Sequence, residues 1–156
     1  MEILMQLLVS YLTTLGFAFF FHAPRRAVPL VGLTGALGWT TYVLLNQWWV
    51  SLVPAVFMGA LLVGLSGEVA ARILKLPVTV FVIPGIVPLV PGYGLYRVMY
   101  QMIGNHVDEA IGQGVEVLLV AGAISVAVIL VSSLAGLFNR AGGEMRSRRS
   151  GQRSDG

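Results

Sequence analysis

An all-α integral membrane protein with five transmembrane helices is the fold class this chain predicts, on three observations. Of its 156 residues 56% are hydrophobic and only 11% charged, with mean hydropathy +0.83, whereas soluble domains carry ~25% charge. The apolar residues fall into runs long enough to cross a hydrocarbon core of about 30 Å. The basic residues sit at the ends of those runs or in the C-terminal tail. A chain without cysteine has no disulfide framework and no thiol-based metal or redox site. A pI near 9.7 would suit nucleic acid, but no basic-aromatic patch accompanies it, so nucleic acid is not an expected partner.

Taken in order, the first span covers about 3–21. Glu2 stands where a signal peptide would be basic, and Arg25 and Arg26 follow in place of a small-residue cleavage site, so this span is expected to be retained. The turn His22–Pro29 leads to a second span at about 30–46, followed by Trp48 and Trp49, which suit an interfacial belt. The third span, about 50–71, closes with Arg72 and Lys75. The fourth, about 78–102, is interrupted by prolines and glycines. A polar loop, Gly104–Gly114, precedes the fifth span at about 115–138. Residues 1–138 thus form the membrane domain, and 139–156, rich in Arg, Gly and Ser, read as a disordered basic cytoplasmic tail.

Basic residues set the orientation. Five spans place Arg25, Arg26, Arg72, Lys75, Arg140, Arg146, Arg148, Arg149 and Arg153 on one side and leave only Arg97 for the other. The N-terminus is therefore expected outside and the C-terminus in the cytoplasm. A four-span chain, with the interrupted stretch as a loop, would put the tail opposite the other basic turns. Small residues recur where helices should meet. Gly32, Gly35 and Gly38 lie roughly on one face of span two; Ala60 and Gly64 in span three, and Ala123 and Ala127 then Ser132 and Gly136 in span five, have small-xxx-small spacing.

The stretch Pro77–Gly94, P-V-T-V-F-V-I-P-G-I-V-P-L-V-P-G-Y-G, is the chain's most unusual. Each interior proline removes a donor, at about 3 kcal/mol in an ordinary helix, and irregular backbone at membrane depth survives only inside protein or beside a wet cavity. If the helix stops near Ile83 and restarts after Pro91, the Gly92 and Tyr93 amides face the gap, with Pro91 in the new first turn. Such a helix start binds anions, and discontinuous transporter helices use it for carboxylates. The bland alternative is a kinked, packed helix. Substrate-binding candidates are Pro84, Gly85, Pro88, Pro91, Gly92, Tyr93 and Arg97. Thr79, Tyr96 and Tyr100 flank them, and Tyr93, Tyr96 and Tyr100 share a helix face; Tyr100 reads better as an interfacial aromatic. Arg97, on that face, either attracts a carboxylate or snorkels outward.

Glu68 and Glu116 are the proton-coupling candidates, since intramembrane carboxylates mark relays. For Glu68 the i,i+4 pair with Arg72 is a sufficient explanation. His106, Asp108 and Glu109 lack the pattern of a metal site; Asn105 as a helix cap with the two acids in the first turn accounts for them. No metal and no cofactor is expected, and no catalytic constellation marks an enzyme.

The segment V-I-P-G-I-V-P-L-V-P-G-Y-G, with the earlier F-H-A-P-R-R-A-V-P-L-V-G-L-T-G-A-L-G, resembles the threonine/serine exporter (ThrE) family. Within it the resemblance is to the small membrane subunit of the two-component form (YjjB-like), over about 20–138. The resemblance implies a subunit of a proton-driven secondary exporter of small carboxylate metabolites, threonine and serine or a succinate-type dicarboxylate, in a bacterial inner membrane. It also implies a larger five-span partner (YjjP-like), with the halves as inverted repeats and a site near the midplane. The family's motif positions here are Pro84, Gly85, Pro88, Pro91 and Gly92. The alternatives are a scaffold subunit that never touches substrate and a self-sufficient homo-oligomeric channel. A reporter-fusion map should place the C-terminus in the cytoplasm; a C-terminus found outside would remove the basis for five spans.

Overall fold

A computed structural model describes the backbone of residues 2–48 and 51–151 and the side chains of 3–48 and 51–136. Six helices follow one another, with no strand among the described residues: α1 (Glu2–Phe20), α2 (Val28–Gln47), α3 (Leu52–Leu74), α4 (Thr79–Ile86) running into a 3-10 turn (Val87–Leu89), α5 (Gly92–Ile103) and α6 (Val107–Gly151). Four are long and apolar enough to cross a membrane: α1, α2, α3 and α6 over residues 107–136. Counting α4 with its 3-10 turn and α5 as one gives up to five. Trp49 and Val50 lie outside the described residues. So do the side chains on which the expectation of a disordered tail rests, and the backbone of 152–156.

The helices line up as α1, α2, α3, α6 and α5, each packed on the next, and α4 lies over α1, α2 and α3. α2 is the centre because it is apolar and small-sided on several faces. Its three glycines serve two neighbours rather than one. A step of three residues turns about 300° around a helix, so the row drifts: a Cβ at Gly32 would meet Tyr11 and Leu15, one at Gly35 would collide with Thr14, and one at Gly38 with Val63. The first two lie against α1 and the third against α3. On α3, a Cβ at Gly59 would come within 2.8 Å of the Gly38 carbonyl oxygen, which leaves the two backbones no room to yield. The small-residue row of α6 is only partly used: Ala127 is buried, but Gly136 faces open space.

Two apolar clusters fill the bundle. One gathers Ala18, Ala27, Val31, Ala71 and Phe81, so the turns that carry Arg25, Arg26, Arg72 and Lys75 lie at one end, called here the basic end. The other joins Val56, Ala60, Val63 and Leu89 to Val120, Ile124 and Ala127 of α6. Gly64 lies against Val131, so α3 and α6 run parallel, and the chain between them must travel from the basic end to the opposite one. At that register α6 up to about residue 118 extends past the start of α3 at Leu52. That is roughly 18 Å of helix at 1.5 Å per residue, and α5 packs along it, with Gly94 against Val117.

Residues 107–114, expected as a loop, are helical. Asp108 and Glu109 in the first turn favour the helix start, and Ala110 is buried. Asn105 does not cap α6. It ends α5 with φ 59°, while the His106 N–H donates to the Gln101 carbonyl at 2.9 Å, the six-to-one bond that closes a left-handed helix end. His22 and Lys75 end α1 and α3 the same way, with Ala23 and Leu76 donating to Ala18 and Ala71 at 2.9 and 3.1 Å.

Gly59→Ala should lower the midpoint of thermal unfolding in detergent by several degrees, since overpacking costs about 1–3 kcal/mol. Gly122→Ala, where a methyl meets open space, should not lower it.

Candidate functional site

The site forms where the helix after Lys75 is lost. Pro84 does not end it: α4 runs through Pro84 to Ile86, with Pro84 fully buried. Gly85 is a packing position, since a Cβ there would stand 2.8 Å from the Thr34 hydroxyl and 2.9 Å from Val63. Thr34 donates to the Val31 carbonyl at 2.8 Å and lies 3.4 Å from the Phe81 carbonyl of α4. The helix yields later. Residues before proline are pushed from the helical region, and Val90, before Pro91, is extended at φ −64°, ψ 131°. Pro91, at φ −77°, ψ 56°, precedes the new helix instead of occupying its first turn. The Gly92 N–H donates to the Val90 carbonyl at 2.7 Å, an inverse γ-turn. From there α5 departs at 46° to the preceding segment.

That turn corrects one detail of the expected anion site. The Gly92 amide is already bonded, so the first-turn donors without an intrahelical acceptor are those of Tyr93 and Gly94. They sit beside a cleft of about 410 Å³. Its floor is apolar: Leu52 and Val56 of α3, Leu89, and Val117 and Val120 of α6. Trp39 and Tyr42 of α2 close one side, their rings 5.1 Å apart, and Trp39 donates from Nε1 to Gln6 Oε1 of α1 at 2.8 Å. Pro88, Pro91, Gly92, Tyr93 and Arg97 supply the α5 side, and Gln113 and Glu116 the α6 side. Gln113 Nε2 donates to Glu116 Oε2 at 3.2 Å. Among the described residues no ion pair within 4 Å joins Arg97 to Glu116.

Five of the seven substrate-binding candidates thus share one cleft with Glu116; Pro84 and Gly85 do not reach it. Glu68 is remote, on α3 toward the basic end, with its Oε2 3.8 Å from Arg72 Nε. Thr79 is also remote, lining a cleft of about 220 Å³ near His22 and Pro84. A third cleft, about 580 Å³, lies along the α5–α6 hairpin between Tyr96, Tyr100, Gln101, His106 and Glu109, and it shares Tyr93 and Arg97 with the first. Tyr96 and Tyr100 stack there at 6.3 Å, as their spacing implies. Sequence reasoning missed Trp39, Tyr42 and Gln113. The signal for Gln113 was its place three residues before Glu116, a neighbour only once both are helical.

A family described as "Threonine/Serine exporter, ThrE" matches residues 6–134, which include every residue of this cleft. No solved structure matches the chain.

With Trp48 and Trp49 replaced by phenylalanine, Trp39 fluorescence reports on the cleft. Gly94→Leu, which drives a side chain into Val117, should raise acrylamide quenching of Trp39, and Gly92→Ala, whose methyl meets open space, should not.

Proposed function

This chain belongs to the threonine/serine exporter family and is an exporter-type, multi-pass membrane protein; on that premise we propose that it binds the carboxylate of a small metabolite in the 410 Å³ cleft. The cargo is threonine, serine or a succinate-type dicarboxylate. Arg97 supplies the charge, and the free first-turn amides of Tyr93 and Gly94 supply directed donors. The observation that carries this reading is the convergence of Pro91, Gly92, Tyr93 and Arg97 with Glu116 on a single cleft. Its polar rim favours transport over a scaffold role, which would need no charges there.

In this proposal α4, the 3-10 turn and α5 act together as one broken span. The parallel course of α3 and α6 supports it, as does the gathering of Arg25, Arg26, Arg72 and Lys75 at one end. The basic end then faces the cytoplasm of a bacterial inner membrane and the N-terminus lies outside. A larger five-span subunit would complete the pathway as the inverted counterpart. Proton coupling would rest on the larger partner, since Glu68 is paired with Arg72 away from the cleft and Glu116 lines the cargo cleft itself.

Labelled threonine, serine and succinate should leave cells expressing the chain with its larger partner faster than cells lacking either one. A charge-assisted bond contributes about 1.5–3 kcal/mol, so Arg97→Gln should reduce export about tenfold or more with insertion intact. Unchanged export would remove Arg97 from the site.

A further inference from the structure

The charges of the cleft narrow the cargo. Two charged side chains line it, Arg97 from α5 and Glu116 from α6, and they are not within 4 Å of each other. Opposite charges that share a cavity without pairing leave both open to a third group. Glu116 is exposed, lies one residue before Val117, which packs on Gly94, and accepts the Gln113 amide one turn away. The donor from Gln113 occupies Oε2 and leaves Oε1 for another donor.

We propose that Glu116 is the specificity-determining residue of the cleft and receives the ammonium group of a zwitterionic amino acid whose carboxylate is held at Arg97. This rests on the carboxylate-binding reading above and narrows it. A dicarboxylate would bring its second negative charge to Glu116, where like charges repel and the described lining on that side offers the Gln113 amide but no cation. A molecule with a carboxylate alone would satisfy Arg97 and leave Glu116 without its counter-charge. Discrimination would then come as much from the repulsive group as from the attractive one. The apolar floor of Leu52, Val56 and Val120 suits a short side chain carrying few polar atoms.

The test compares export of labelled threonine, N-acetylthreonine and succinate by the full chain with its larger partner. The wild type should favour threonine over both others at least tenfold. Glu116→Gln should shift the threonine-to-succinate ratio at least tenfold toward succinate, and Glu116→Asp should restore most of the original ratio. A ratio unmoved by Glu116→Gln, or a wild type that exports N-acetylthreonine as well as threonine, would overturn the assignment. The two readings fail differently. If Arg97→Gln still abolishes export while Glu116→Gln leaves the ratio alone, carboxylate binding stands and the ammonium site falls. If Arg97→Gln changes nothing, both fall.

Discussion

The contact between Gly38 and Gly59, with Leu89 set against it, is the constraint on which this bundle rests. A methyl at Gly59 would lie 2.8 Å from the Gly38 carbonyl and 3.3 Å from Leu89, so α2 and α3 meet backbone to backbone, with the 3-10 turn pressed over the junction. In a membrane no hydrophobic force drives helices together, and close approach with its dispersion contacts takes that role. The junction also separates two openings. The cleft beside Pro91 lies on one side of Leu89, and the smaller one beside His22 and Thr79 lies toward the basic end. Phe81, Pro84, Gly85 and Leu89, on the stretch between the two openings, are buried.

Much of the architecture was legible because membrane helices announce themselves by length and apolarity, and the prolines of the interrupted stretch by their missing donors. What was not legible turned on packing. Pro84 and Pro91 have the same chemistry in the sequence, yet one is absorbed in a helix and the other ends a segment. Pro84 is buried against its neighbours, whereas Val90 and Pro91 stand where the chain leaves α2 and α3 to join α6. Gly85 and Gly92 were likewise alike on paper. The first fits beneath Thr34 and Val63, and the second faces open space. The hairpin was hidden for another reason: Gly112 and Gly114 look like loop residues until Ala110 and Val117 are seen to pack.

The cleft itself was half visible. Pro88, Pro91, Gly92, Tyr93 and Arg97 are close in sequence, and a helix start among prolines draws attention unaided. Glu116 was singled out for being a carboxylate in an apolar run, with nothing to place it near Arg97. Only the antiparallel return of α6 along α5 does so. Trp39, Tyr42, Leu52 and Val56 come from elements more than thirty residues away, and no local pattern distinguishes them from ordinary span residues. Sequence therefore showed one lip of the cleft, and topology supplied the rest.

The unequal lengths of the helices have a physical consequence for this arrangement. With Gly64 against Val131, the first twelve or so residues of α6 extend past the start of α3 at Leu52, roughly 18 Å at 1.5 Å per residue. A bilayer matched to α3 leaves the α5–α6 hairpin proud of its surface or tilts α6, and a thicker one takes more of the hairpin in and lets α6 stand straighter. Tilting α6 moves Gln113 and Glu116 relative to Trp39 and Tyr42, the opposite wall of the cleft. Lipid thickness thus becomes a mechanical input to the width of the opening: acyl-chain length bears on the cleft from outside, with no group of the lipid entering it.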